Sequence, residues 1–274
     1  MKNDTMVIVR PRKGWMRINL GELWSYHHLL MLLVTREIKV RYRQTILGIA
    51  WAIIQPLLMM VVFSLFFGKF INVSRDNISY PLFSYAALLP WMLFSEGLTR
   101  STNSVVQNTN LVQKIYFPKL ILPLAGALSP LVDFIFAFIV FIAIMYFYEA
   151  CITIKILLLP VFLGLTIMSS LSIGFWLSAL NVQYRDVRYV TPFLIQVMFF
   201  ASPVVYSSNS LPPMLQSIYG LNPMVGIIEG FRWILLGAQS PSHLIIVSAV
   251  ITTIMFISGA FYFRRMEKYF ADMV

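Results

Sequence analysis

The chain has 274 residues, 59% of them hydrophobic and only 12% charged. A soluble domain carries about 25% charged residues, so water is excluded as the solvent for most of this chain and a bilayer takes its place. The formal net charge of +10 does not make it a nucleic-acid binder, because most Lys and Arg lie in short segments flanking apolar spans, where orientation signals belong.

Bond-breaking chemistry is excluded on motif grounds. There is no G-x-x-x-x-G-K-[ST] phosphate cradle, no G-x-S-x-G nucleophile motif and no short motif pairing two carboxylates. The single cysteine, Cys151, leaves no internal disulfide or cysteine-rich metal site. His27, His28 and His243 are too few and too scattered to hold a metal, so no metal site is expected.

In chain order, Met1 to Asn19 is a basic lead-in with no apolar h-region or small-residue cleavage site, which predicts no cleavable signal peptide. Asn19 followed by Glu22 fits a helix start near Leu20. Within Gly21–Gln44, the run Glu37 to Arg43 alternates with period two, the pattern of a strand. Wound as a helix, Val34, Ile38 and Tyr42 share one face, while Arg36, Lys39 and Arg43 share another. Glu37 and Arg41 then form an i,i+4 pair. A lone strand beside a membrane leaves its edges unpaired, so the expectation is an amphipathic helix lying in the interface. The membrane boundary falls near Gln44–Leu47, where charge gives way to an apolar run.

Six apolar spans follow: Ile46–Phe67 with a kink expected at Gln55-Pro56, Leu82–Val106, Leu120–Tyr148, Ile154–Leu180, Val190–Tyr206 and Leu244–Phe263. Lys and Arg outside the spans favour the N-terminal side by roughly four to one, which puts both termini in the cytoplasm. The organisation expected is an interface region over 1–45, a transmembrane domain over 46–263 and a tail over 264–274. Between spans five and six, Leu211–Leu221 and Met224–Leu236 are apolar but too short to cross, and they are separated by Asn222-Pro223. They read as a re-entrant helical hairpin, which needs protein or a water-filled cavity to cover it. The bland alternative is an outer loop with two surface helices.

Charges inside spans are costly and therefore informative. Glu96 and Arg100 (i,i+4) and Glu229 and Arg232 (i,i+3) are placed to neutralise each other, as structural pairs or as functional ones. Asp133 has no local partner, which turns it toward a cavity or another subunit. Two charged segments expected on the cytoplasmic side, 108–119 and 181–189, mix apolar and basic residues. The first, NTNLVQKIYFPK, reads as a short amphipathic helix stopped by a proline, and the second is NVQYRDVRY. Such elements suit a soluble partner, or else cap span ends among lipid headgroups. Trp51, Trp91, Trp176, Phe199, Phe200 and Tyr206 lie within or at the ends of spans, where an interfacial belt is the default and a sugar-stacking channel lining the sharper reading.

Taken together, TREIKVRYRQTILGIAWAIIQP, LLPW, NTNLVQKIYFPKLILP and NVQYRDVRY resemble the permease subunits of ABC exporters for lipid-linked polysaccharides, the Wzm-type O-antigen permeases, close to capsule and teichoic-acid permeases. The resemblance covers nearly the whole chain in order. It implies an all-α polytopic membrane protein with an N-terminal interface helix, six spans and outer gate helices over 211–237, acting as a homodimer. Two copies of a separate ATPase subunit, binding ATP and Mg, are implied as partners beside lipid-linked polysaccharide and membrane lipid, with no cofactor in this chain. On the matching positions, Asn110, Leu111, Val112, Lys114, Phe117 and Pro118 form one ATPase-coupling element, and Tyr184, Arg185, Asp186 and Arg188 a second. Arg36, Lys39, Arg41 and Arg43 lie on the interface helix near the lipid headgroup, and the aromatics above with Glu229 and Arg232 belong to channel or gate. The function expected is ATP-driven export of a polyprenyl-diphosphate-linked glycan across a bacterial inner membrane. The nearest rival is an ABC permease for a small hydrophobic molecule. A membrane glycosyltransferase wants acidic nucleotide-sugar motifs that are missing here, and a passive channel needs no coupling segments.

Overall fold

Apolar runs punctuated by proline, glycine and clustered charge become helices along the whole chain. The computed structural model describes residues 20–43, 48–68, 78–150, 153–208, 212, 219–240 and 242–270, and no strand occurs among them. The basic lead-in, the boundary at Gln44–Leu47, Cys151 and most of the first re-entrant piece lie outside the described residues.

The helix expected from Gly21 onward is two helices, α1 (Leu20–Ser25) and α2 (His27–Tyr42), separated at Tyr26. The helical reading of Glu37–Arg43 holds over the period-two one: Arg36, Lys39 and Arg43 are exposed, while Leu33, Val34, Ile38 and Tyr42 turn inward. Next come α3 (Ala50–Phe67), which continues through Pro56, and α4 (Tyr80–Gln107), with Pro81 in its first turn and Pro90 inside it. A short α5 (Thr109–Lys114) follows. The third expected span is divided into α6 (Ile121–Leu128) and α7 (Leu131–Phe147) at Ser129-Pro130, because proline has no N–H for the helix ladder. A 3₁₀ turn (Ile154–Leu158) leads into α8 (Leu159–Gln183), and then come α9 (Val187–Phe200), α10 (Pro223–Leu236) and α11 (Ser242–Met266), which ends in a 3₁₀ turn (Glu267–Tyr269).

Among the described residues, four stretches are long and apolar enough to cross a membrane: Ala50–Phe67, Ile121–Phe147, Ile154–Gln183 and His243–Tyr269. The 28-residue α4 has the length without that composition. It carries Glu96, Arg100 and a series of serines, and it tolerates them because α3, α6, α7, α8, α9 and α10 all pack on it, hiding most of its surface from lipid. The fifth expected span is shorter than anticipated. α9 stops at Phe200, and its 14 residues extend about 21 Å at 1.5 Å per residue. Ser202-Pro203 ends it, and the amide of Asn222 donates to the Ala201 carbonyl and to Ser202 Oγ, both at 2.9 Å, holding the turn that follows. The second of the two short apolar pieces forms α10, which is almost wholly buried. Its start is set by Asn222, whose side chain accepts from the Met224 N–H at 3.0 Å, with Pro223 in the first turn. Its end is Gly237 at φ +70°, a left-handed cap that favours glycine.

Helices α4 and α8 form the centre. Near their C-terminal ends Asn181 donates to the Thr102 carbonyl at 3.0 Å and to Asn103 Oδ1 at 3.2 Å, so the two helices run parallel and finish side by side. α6 crosses α4 closely at Gly126, where a Cβ would stand 2.9 Å from the backbone of Arg100 and Ser101. Two apolar cores result. One joins α3, α7, α10 and the first half of α4, and the other joins α2, α5, α6, α11 and the second half of α8. The second core lies at the end carrying Arg36, Lys39, Lys114, Lys119, Arg185, Arg188 and Arg264, hereafter the basic end.

Candidate functional site

At the basic end two segments project from neighbouring helices. α4 feeds α5 through Asn108, and the backbone leaves α5 at Ile115 in extended conformation. Val112 and Phe117 turn into the second core, while Ile115 and Tyr116 are 54% and 69% exposed. At the end of α8 the chain turns through Tyr184, Arg185 and Asp186, all exposed, before α9 begins at Val187. Tyr184 and Tyr189 are 54% and 82% exposed. Apolar anchors and charged or aromatic tips thus alternate along both segments.

This arrangement divides the expected coupling set by burial. Asn110, Lys114, Tyr184, Arg185, Asp186 and Arg188 are surface residues. Val112, Phe117 and Pro118 are buried, because the extended turn after Lys114 points Phe117 back into the apolar core. Leu111 is half-buried against the same core. The exposed tips are Ile115, Tyr116 and Tyr189, which motif matching passed over. Their signal was present as apolar residues between lysines and beside arginines, where a core position is not expected.

Beside these segments α2 meets α4 and α7 through ionised side chains. Arg41 pairs with Asp133 and lies 3.7 Å from Glu96. Arg100 pairs with Glu96 at 3.3 Å, as the i,i+4 spacing anticipated, and with Glu37 at 3.3 Å. Ser129 Oγ, at the break between α6 and α7, donates to Glu37 at 3.4 Å. The expected Glu37–Arg41 pair is therefore replaced: each residue reaches across to another helix. Asp133 borders a small cleft with Arg41, Gln55, Glu96 and the apolar side chains of Leu89 and Phe134. The three basic residues of α2 and Arg43 at its C-terminal cap divide accordingly. Arg41 turns inward, Arg36 donates to Asn108 Oδ1 at 2.7 Å, and Lys39 and Arg43 face outward.

At the opposite end Arg232 is fully buried on α10. Its guanidinium donates to the carbonyls of Phe83, Tyr206 and Val204 at 3.3, 3.2 and 2.9 Å, and lies 3.5 Å from Glu229. The Phe83 ring stacks 3.5 Å from its Cζ. Glu229 in turn accepts from the Ser208 N–H at 2.8 Å. Such a pair is costly to bury and far costlier to break once buried.

The aromatics separate as well. Trp91, Phe199 and Phe200 come together with Phe63, ring centroids 5.3 to 5.9 Å apart. Trp176 is stacked on Tyr262 at 4.3 Å, in the α8–α11 contact. Tyr206 shares a 2.7 Å hydroxyl contact with Tyr219. Trp51 and Phe200 are exposed. Trp91 and Arg232 are packed inside the single chain, buried against neighbouring helices.

With this geometry established, the chain can be set beside known proteins. A family model described as ABC-2 type transporter matches residues 28–236. The chain is 29% identical to the O-antigen export system permease protein RfbA of Myxococcus xanthus over 253 residues, which is 90% of this chain and 96% of the relative. It is 26% identical to the RfbA of Klebsiella pneumoniae, covering 94% and 98% of the two chains. It is also 25% identical to the polysialic acid transport protein KpsM of Escherichia coli, over 72% of this chain and 77% of that protein.

Proposed function

This chain belongs to the ABC-2 type transporter membrane family, and on that premise we propose that it is the permease subunit of an ATP-driven exporter of O-antigen-like polysaccharide. The substrate is a glycan on a polyprenyl diphosphate lipid, moved across the bacterial inner membrane through a channel between two copies of the chain. Hydrolysis belongs to a separate ATPase, two copies of which hold ATP and Mg²⁺ and dock on the basic end. That end faces the cytoplasm, as the concentration of Lys and Arg favours. α4 and α9 complete six crossings, and α10 is the inner arm of the outer gate.

The observation that carries the reading is the side-by-side projection of two exposed segments from parallel helices, Ile115–Tyr116 and Tyr184–Tyr189, each flanked by basic residues. A rigid apolar anchor under an exposed aromatic tip suits a partner pocket, because large aromatics and arginines carry most binding energy at interfaces. The outward Lys39 and Arg43 attract the anionic lipid headgroup toward the site by surface electrostatics.

The test is Tyr116→Ala with Lys114→Glu, co-expressed with the partner ATPase subunit. A hot-spot loss of about 2 kcal/mol lowers co-purification of the ATPase roughly 30-fold, and export fails with it. Normal complex formation and normal surface glycan would sink the assignment. Phe117→Ala is the wrong probe, since it opens a cavity in the core.

A further inference from the structure

Segment 108–119 is fastened at both ends. At the near root, Asn108 is buried; its Oδ1 accepts from Arg36 at 2.7 Å and its Nδ2 donates to the Ser104 carbonyl at 2.8 Å. Its own carbonyl accepts the amides of Leu111 and Val112 at 2.9 and 3.1 Å. One residue therefore joins α2 and the end of α4 through its side chain, and the start of α5 through its carbonyl.

The far root meets the last turn of the chain described. Buried Glu267 accepts the Lys119 backbone N–H at 2.8 Å through one carboxylate oxygen, and Arg264 at 2.6 Å through the other. Lys119 Nζ donates to the Glu267 carbonyl at 3.3 Å, and Arg264 also reaches Glu22 of α1 at 3.5 Å. Phe270 packs on Phe263 with ring centroids 5.1 Å apart, and both rings are buried in the core beneath. The carboxylate stands where α6 begins, a position at which unpaired amides and the helix dipole favour negative charge. Charge-assisted bonds of this kind are short and strong.

Between the two roots the chain is extended at Ile115, and a push on Ile115 or Tyr116 dissipates as local bending unless the roots hold. Resting on the docking reading above, we propose that Glu267 is a positioning residue for transport: it locks the far root of segment 108–119 to α11, so that displacement of the docked segment by an ATPase passes into α6 and α11 as one body. Glu267 touches neither partner nor substrate and acts through Lys119.

The experiment uses Glu267→Gln and, as a second variant keeping the carboxylate, Arg264→Gln, each in the full permease purified with its ATPase. Docking is read by a photo-crosslinking residue at position 116, ATP turnover on the purified complex, and export in cells by periodate–hydrazide labelling of surface polysaccharide. Amide hydrogen exchange is followed over residues 119–122. The expected result is an undiminished crosslink, ATP turnover within about twofold, faster exchange at 119–122 and export lowered several-fold relative to ATP turnover. Faster exchange with export per ATP unchanged overturns the proposal, since Glu267 would then be structural only. Loss of the crosslink in the variants alone also overturns it, because the residue would serve docking. Absence of the crosslink in the parent protein defeats the docking reading, and the proposal with it.

Discussion

Arg232 and Arg41 are both arginines set among apolar helices, and they are held in opposite ways. Around Arg232 stand three backbone carbonyls, one carboxylate and an aromatic face, with water excluded. Carbonyls fixed in a helix or a folded turn cannot leave their partner without moving that backbone. Around Arg41 and Arg100 the partners are three carboxylates on α2, α4 and α7, and the five side chains are 15–39% exposed. Carboxylates at the ends of rotatable side chains can exchange partners, and Glu96 already lies within reach of both arginines. The first site rivets α10 to the body of the protein. The second is a joint, fastening α2 by contacts that can be traded.

The largest expected effect tests the rivet. Arg232→Met leaves Glu229 buried without its cation, which costs about 3–5 kcal/mol. Thermal unfolding in detergent should show a large fall in Tm and a loss of monodisperse protein; an unchanged Tm would erase the contrast between the two sites. A smaller effect tests the joint. In a double-mutant cycle of Arg41→Met and Asp133→Asn, the coupling energy should be about 1 kcal/mol, because the pair is partly solvated and Glu96 can substitute. Coupling above about 3 kcal/mol would make this site a second rivet. The smallest effect concerns the outward face of α2. Lys39→Gln and Arg43→Gln should leave stability within about 0.5 kcal/mol. They should reduce the thermal protection given by added anionic lipid by about 1 kcal/mol per charge. If that protection is unchanged, the outward charges play no part in attracting headgroups.

Much of the architecture was legible beforehand, for reasons that differ between elements. α8 and α11 follow their apolar runs closely, since length and composition alone meet the demand of a bilayer. α2 was legible through its inward and outward faces despite a strand-like alternation, and the Glu96–Arg100 and Glu229–Arg232 pairs through helical spacing. The end of α9 was misplaced by six residues, although Ser202-Pro203 was in plain view, because Val204, Val205 and Tyr206 continue the apolar run past the turn. The burial of Val112 and Phe117 was hidden for a related reason: an amphipathic pattern says that one face is apolar, not whether that face meets this chain or another.

Sequence by itself determined that this is a helical membrane protein, roughly where its long apolar helices run and which family it joins, because hydropathy, helix breakers and motif order are local properties of the chain. Tertiary structure alone decided the partners of the charges that pair between helices. Arg41 meets Asp133 across 92 residues, and Lys119 meets Glu267 across 148. Asn108 became the root of a segment and Arg232 a rivet only once α2, α4 and α10 had been brought together. The physical reason is that a buried charge must be neutralised by whatever lies within a few ångströms, and distance along the chain carries no information about that neighbour until the helices have packed.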